Sequence, residues 1–341
     1  MTTVVTAPPS GPAGPSESSR KVRSAAGGAD RVFKRTLQGA GLMVLTIMTI
    51  IGLFLFYRGE PALADAGIWK FLTTQAWEPS SHNFGIAAVL TGTVLIAAVA
   101  VIFAVPLATG VALYISEYAP RRLRQTLINL VDLMAAVPSV VYGLWGAYFL
   151  QEKVIPVAKW ISVNFGWIPL LGIHDADPNN PFEDETIYKS STFIAGIVVA
   201  LMIMPIISSL MRESFSQAPV GEREGAFALG ATRWGMIRSV VLPFGRGGMI
   251  GGTMLGLGRA MGETIAVYMI ISLIFKIQLE ILHRGANSVA ALIALKFGAA
   301  SPFELSALFA GGLALFMLTL LVNFGASAII ARTRSGALSD A

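Results

Sequence analysis

The sequence predicts an all-α integral membrane protein with about six transmembrane helices and both termini in the cytoplasm. Three observations lead there. Of 341 residues, 54% are hydrophobic and only 13% charged, about half the ~25% charge of a soluble domain. So little charge cannot cover a soluble exterior, and lipid must be the solvent for much of the surface. Six apolar stretches follow one another at 39–57, 85–113, 126–149, 191–211, 247–275 and 305–330. Beyond a first helix of ordinary length, each is long enough to cross a hydrocarbon core of about 30 Å at roughly 1.5 Å per residue. Lysine and arginine then set the orientation. With the amino terminus inside, the inner segments 1–38, 115–125, 212–246 and 331–341 hold sixteen, and the outer segments 58–84, 150–190 and 276–304 hold eight. That bias favours cytoplasmic termini.

Residues 1–36 begin rich in Pro, Gly, Ser and Thr and continue into Arg20, Lys21, Arg23, Arg31, Lys34 and Arg35. Such a segment buries too little apolar surface to order itself and is expected to be a disordered cytoplasmic tail. Residues 37–60 are expected to form the first helix. Ala62-Leu63-Ala64 resembles a signal-peptidase site, but the apolar run is longer than a signal core, so an uncleaved helix is expected. Residues 85–330 then form a core of five further helices with the inner loop 212–246, and 331–341 form a short cytoplasmic tail. Pro106, Pro138 and Pro205 lie inside three of the stretches and are expected to kink them. Asp132 is placed near the inner interface beside a basic loop residue and is given no transport role. The cluster Asp175, Asp177, Glu183, Asp184 and Glu185 reads as a solvated outer loop.

The formal charge of +5 sits largely in short loops beside apolar spans, which explains it without nucleic-acid binding. The absence of cysteine excludes disulfides, thiolate metal sites and cysteine catalysis. His82, His174 and His283 fall in predicted loops without ligand spacing, so no metal or cofactor is expected.

Two segments carry chemistry. The loop 212–246 contains Glu224-Gly225-Ala226, with Gly230 six residues after the glutamate and Leu242-Pro243 beginning twelve after Gly230. Small residues near a turn let two short helices lie close against a partner, and Arg223, Arg233 and Arg238 would charge that surface. In the fifth stretch Gly248, Gly252 and Gly256 recur every four residues, a face that lets a neighbouring helix approach closely. Arg259 follows, about 18 Å into the stretch if helical from 247. An ionised group at such depth costs at least ~2.5–3.5 kcal/mol, so its default reading is functional. Glu263, four residues on, would share a helical face with it. The pair either braces the bundle or lines a water-filled path for an anion. Arginine presents a planar fork of donors suited to phosphate oxygens. Glu263 would accept a hydrogen bond from a protonated phosphate oxygen and repel sulfate, which lacks that proton at neutral pH.

The Glu224–Pro243 pattern resembles the cytoplasmic "EAA" loop of type I ABC importer permeases, with Gly225 replacing the usual alanine. Residues 258–267 and 136–146 resemble phosphate permeases, and the Tyr142-Gly143-Leu144-Trp145 segment is closer to the PstC type than to its PstA-type partner. The resemblance spans roughly 40–330. It implies the six-helix permease fold in the cell membrane and a transport subunit that is not itself an enzyme. It also implies that Glu224, Gly225, Ala226, Gly230, Leu242 and Pro243 form the ATPase-coupling element, and that Arg259 and Glu263 line the substrate path. The partners implied are inorganic phosphate, two ATP-binding subunits, a second homologous permease subunit and an extracytoplasmic phosphate-binding protein. The sequence has no P-loop of its own. An importer for sulfate or molybdate, an ion-driven secondary transporter and a membrane-embedded enzyme are the competing readings. The coupling-loop spacing argues against the second, and the lack of paired carboxylates or a ligand cluster in the spans argues against the third.

Overall fold

The structure, a computed structural model, describes residues 28–173 and 185–334. Contacts divide the chain into Met1–Ile51 and Gly52–Ala341. The described residues of the first unit are all helical, the opening part of α1 (Gly28–Ala66). Residues 28–36, expected in the tail, are therefore helical, and the rest of that tail lies outside the described residues. All further statements concern the second unit. There α1 continues past the Ala62-Leu63-Ala64 sequence, and Ala62 is fully buried with its N–H donating to Ser306 Oγ at 3.2 Å.

The core is built on α3 (Ala87–Leu113) and α7 (Thr192–Ser216). Ala100, Ala104, Ala108 and Ala112 recur every four residues of α3 and all are fully buried. Small side chains at that spacing let membrane helices pack without an aqueous hydrophobic driving force. The third large element, α10 (Leu242–Gly262), packs against α7, and α13 (Pro302–Arg334) packs against α10. Among the described residues five helices are long and apolar enough to cross a membrane, or six if one bent pair is counted as a single span.

That bent pair corrects the expected third span. The stretch 126–149 is not one helix: α4 (Arg121–Ala136) stops before Pro138, and the helical run Ser139–Phe165, which begins with α5 (Ser139–Trp145), leaves it at 86°. Val137, pushed out of the helical region by the following proline, has ψ 129°. Tyr142 Oη donates to the Met134 carbonyl at 3.1 Å, satisfying a group that the broken helix leaves open. Beyond α5 the chain continues through a π turn, Gly146–Leu150, into α6 (Gln151–Phe165), where an outer loop was expected. Asp132 is exposed and joins no ion pair among the described residues, contrary to its expected basic partner. The acidic cluster lies outside the described residues except for Glu185.

The fifth stretch is also broken. Helix α10 ends at Gly262, and a separate short helix, α11 (Ile265–Ile270), follows. Three smaller elements complete the fold: α2 (Ile68–Thr73), a two-residue hairpin pairing Trp77 with Phe84, and α12 (Val289–Lys296).

Candidate functional site

Between α10 and its neighbours lies an open groove of about 450 Å³ lined by Ile206, Met254, Leu255, Gly258, Arg259 and Asn323. Its lining is mostly apolar, with one guanidinium and one amide. Arg259 stands in the last turn of α10, where the negative end of the helix dipole favours a cation. The side chain is exposed. Glu263 stands just past the last helical residue, Gly262; its φ of −66° is still helical, and its ψ of 124° redirects the chain that follows it. Its carboxylate is buried and accepts from the Ala266 N–H at 3.3 Å, so it caps the start of α11. Among the described residues no ion pair joins Arg259 to Glu263, and the self-paired brace is absent from this conformation. The helix expected to carry both residues stops between them: two residues, Glu263 and Thr264, separate α10 from α11, and Arg259 is exposed while Glu263 is buried.

The glycine series sits where α10 meets α7. A Cβ on Gly248 would collide with Ser214 Oγ, one on Gly252 would come within 3.2 Å of the Ile207 carbonyl, and one on Gly256 within 2.5 Å of Ile207 Cδ1. These absent side chains set how closely α10 approaches α7. The residues 136–146 and 258–267, far apart in sequence, also come together. A Cβ on Gly143 of α5 would lie 2.9 Å from Ala266 Cα of α11. Asn323 was not singled out in the sequence, although a lone amide in an apolar helix is the signal that could have found it.

The loop 212–246 folds as two short helices, α8 (Val220–Ala228) and α9 (Arg233–Met236). Gly230 has φ +84°, a left-handed conformation that glycine adopts without steric cost. Its N–H bonds to the Phe227 carbonyl at 2.9 Å, and the Ala231 N–H to the Ala226 carbonyl at 3.0 Å. That is a Schellman ending, which closes α8 and satisfies its last carbonyls. Thr232 Oγ1 accepts from the Gly235 N–H at 3.1 Å and starts α9. A π turn, Ile237–Val241, precedes Leu242-Pro243 at the start of α10. The wider turn relieves the clash that proline makes with the carbonyl four residues back. Leu242 packs on the core. Glu224 is exposed and Gly225 has open space where a Cβ would be. Val220, Phe227, Leu229 and Trp234 are 67%, 46%, 90% and 56% exposed. Among the described residues nothing covers this face.

A bundle of small-residue helices long enough to cross a membrane, with an open cation-bearing groove on its surface and a helical loop that the described residues leave uncovered, fits a membrane transport component. The chain belongs to the family described as "Binding-protein-dependent transport system inner membrane component", whose profile matches residues 100–335. It is 38% identical over 307 residues to the phosphate transport system permease protein PstC 2 of Mycobacterium tuberculosis, covering 88% of this chain and 91% of that protein. The phosphate transport system permease protein PstC of Xylella fastidiosa is 36% identical over 86% of this chain and 88% of its own length. The fold is shared with a chain of an inward-facing MetNI methionine ABC transporter at TM-score 0.51 and 15% identity, covering 76% of this chain and 99% of that one. It is also shared with a chain of a bacterial ABC transporter for the acidic polysaccharide alginate, at TM-score 0.53 and 16% identity, covering 89% and 99%.

Proposed function

We propose that this chain is the permease subunit of an ATP-driven importer of inorganic phosphate, that Arg259 contacts the transported anion, and that α8 docks the ATPase. The named phosphate permeases above support the substrate. The observation that carries the site is an exposed guanidinium in a mostly apolar groove lined by α7, α10 and α13. Among the described residues no carboxylate pairs with it, so its planar fork of donors is open to an oxyanion. Asn323 adds an amide donor beside it. Glu263, held at the break, favours an anion that still carries a proton.

In this reading a second homologous permease subunit completes the path, two ATP-binding subunits supply the work, and an extracytoplasmic phosphate-binding protein delivers the anion. Both termini are cytoplasmic, which puts α8 on the ATPase side. Glu224, Gly225 and the apolar residues around Gly230 form the docked surface. ATP-driven closure moves the two coupling loops together and opens the path outward, and hydrolysis reverses it.

The test is radiolabelled uptake by the complete complex in lipid vesicles supplied with ATP. Phosphate should accumulate, and sulfate or molybdate in excess should compete poorly. Equal uptake of sulfate would replace phosphate by oxyanions at large. Uptake without the ATP-binding subunits would sink the importer reading.

A further inference from the structure

The coupling loop grips one short segment of the span core from two sides. Helix α3 ends in a π turn, Tyr114–Tyr118, closed by the Ala119 N–H on the Tyr114 carbonyl at 2.8 Å. Single π turns in otherwise α-helical segments concentrate at functional positions, because the extra residue makes the local backbone easier to shift. From α8, Arg223 Nη1 reaches Glu117 Oε2 at 3.0 Å. From α9, the Arg233 guanidinium lies 5.3 Å from the centre of the Tyr118 ring. Adjacent residues of one turn thus hold the two arginines of two different loop helices.

Arg223 does more than pair. Its Nη2 donates to the Phe215 carbonyl at 2.5 Å, in the last turn of α7, where backbone carbonyls lack helical partners. Phe215 is fully buried and lies where a Cβ on Gly245 of α10 would fall. One side chain therefore ties α8 to the inner ends of α3 and α7. The rest of α8 is exposed apart from Ala226, which packs on the core, so Arg223 is the polar side chain that attaches α8 to the ends of α3 and α7.

The pair is also poorly built as a pure brace. The Glu117 side chain is only 5% exposed, yet Glu117 Oε1 and Arg223 Nε are buried without hydrogen-bond partners. A half-satisfied buried ion pair contributes little net stability compared with apolar packing. Its value lies in directing force between two elements that would otherwise slide.

We infer that the Tyr114–Tyr118 turn is the receiver through which the coupling loop moves the spans, with Arg223–Glu117 as the main link and Arg233–Tyr118 as the second. This rests on the reading of α8 as the ATPase-docking helix. Force applied to α8 is carried through Arg223 to the ends of α3 and α7 together, the two helices that form the centre of the core. Tyr118 on the same turn keeps α9 in step.

The complete complex in vesicles provides the test, with phosphate uptake and ATP hydrolysis measured on the same preparation. Arg223→Gln and Glu117→Gln should each lower phosphate moved per ATP hydrolysed by about tenfold, within the range of ordinary coupling between sites. ATPase copurification should stay intact. The double variant should lose no more than Arg223→Gln alone, because removing the arginine already cuts the link to Glu117. An unchanged ratio in both single variants overturns the inference, and so does a double loss equal to the product of the single losses. Failure of either single variant to assemble makes the pair a structural brace and also overturns it. Loss of ATPase copurification would place Arg223 in docking itself, against transmission but in favour of the docking reading. That reading fails separately, if altering the exposed Leu229 leaves the ATPase bound.

Discussion

Arg259 and Glu263 were legible in the sequence as residue types, because ionisable groups inside an apolar run have few structural reasons to be there. Their relationship was not. Four-residue spacing says nothing of burial or partner, and at the break after Gly262 the Glu263 carboxylate is buried on the Ala266 N–H while Arg259 stays exposed. These different surroundings sharpen the prediction. Arg259→Gln removes the charge facing the groove and should lower phosphate uptake about 10–100-fold, the loss of one hydrogen bond to a charged group at ~1.5–3 kcal/mol. Assembly should be unaffected, since Arg259 braces no carboxylate. Glu263→Gln keeps an oxygen able to accept the Ala266 N–H, so α11 should remain capped. Impaired uptake with weaker rejection of sulfate would then report the lost charge rather than a lost cap. Both are read as radiolabelled uptake per assembled complex. Near-normal uptake by Arg259→Gln would remove the arginine from the anion path.

At the level of elements, legibility followed how local the determinants were. The loop around Gly230 could be read because its glycine, threonine cap and proline each impose a backbone state on their own neighbours. The same cannot be said of the third span. Both sides of Pro138 are apolar, so hydropathy merged α4 and α5, and only the restriction that a proline places on the residue before it signalled the 86° bend. Helix α6 was hidden by Glu152, Lys153 and Lys159, whose charges lower its hydropathy although Val154, Ile155 and Ala158 are buried. For the proposed docking loop the structure also suggests a cleaner probe than Gly230, whose left-handed φ would strain under any replacement. Leu229 is 90% exposed among the described residues. Leu229→Asp should weaken ATPase copurification by about tenfold or more, as burying an unpaired carboxylate in an apolar contact is costly. Membrane insertion should be normal. Full copurification of that variant would show that α8 is not the docking surface.

Across the whole molecule, the two internal segments assigned to one side by charge do lie together, through Arg223–Glu117 and Arg233–Tyr118. The segments assigned to the other side also meet. The Ile277 N–H bonds to Gln75 Oε1 at 2.9 Å and the Ile281 N–H to the Leu170 carbonyl at 3.0 Å. The chain therefore alternates between two ends as the six apolar stretches require, although two of those stretches are internally broken. Which end faces the cytoplasm rests on the excess of lysine and arginine, an argument about insertion rather than packing. The absence of cysteine from the chain makes this directly testable, because any single introduced thiol is the only one. Trp167 and Leu229 belong to opposite ends and are 79% and 90% exposed. In right-side-out vesicles a membrane-impermeant maleimide should modify Trp167→Cys and spare Leu229→Cys until the vesicles are permeabilised. In inverted vesicles the pattern should reverse, and bound ATP-binding subunits should shield Leu229→Cys from the reagent. Labelling of Leu229→Cys in sealed right-side-out vesicles would invert the topology and put α8 out of reach of any cytoplasmic ATPase.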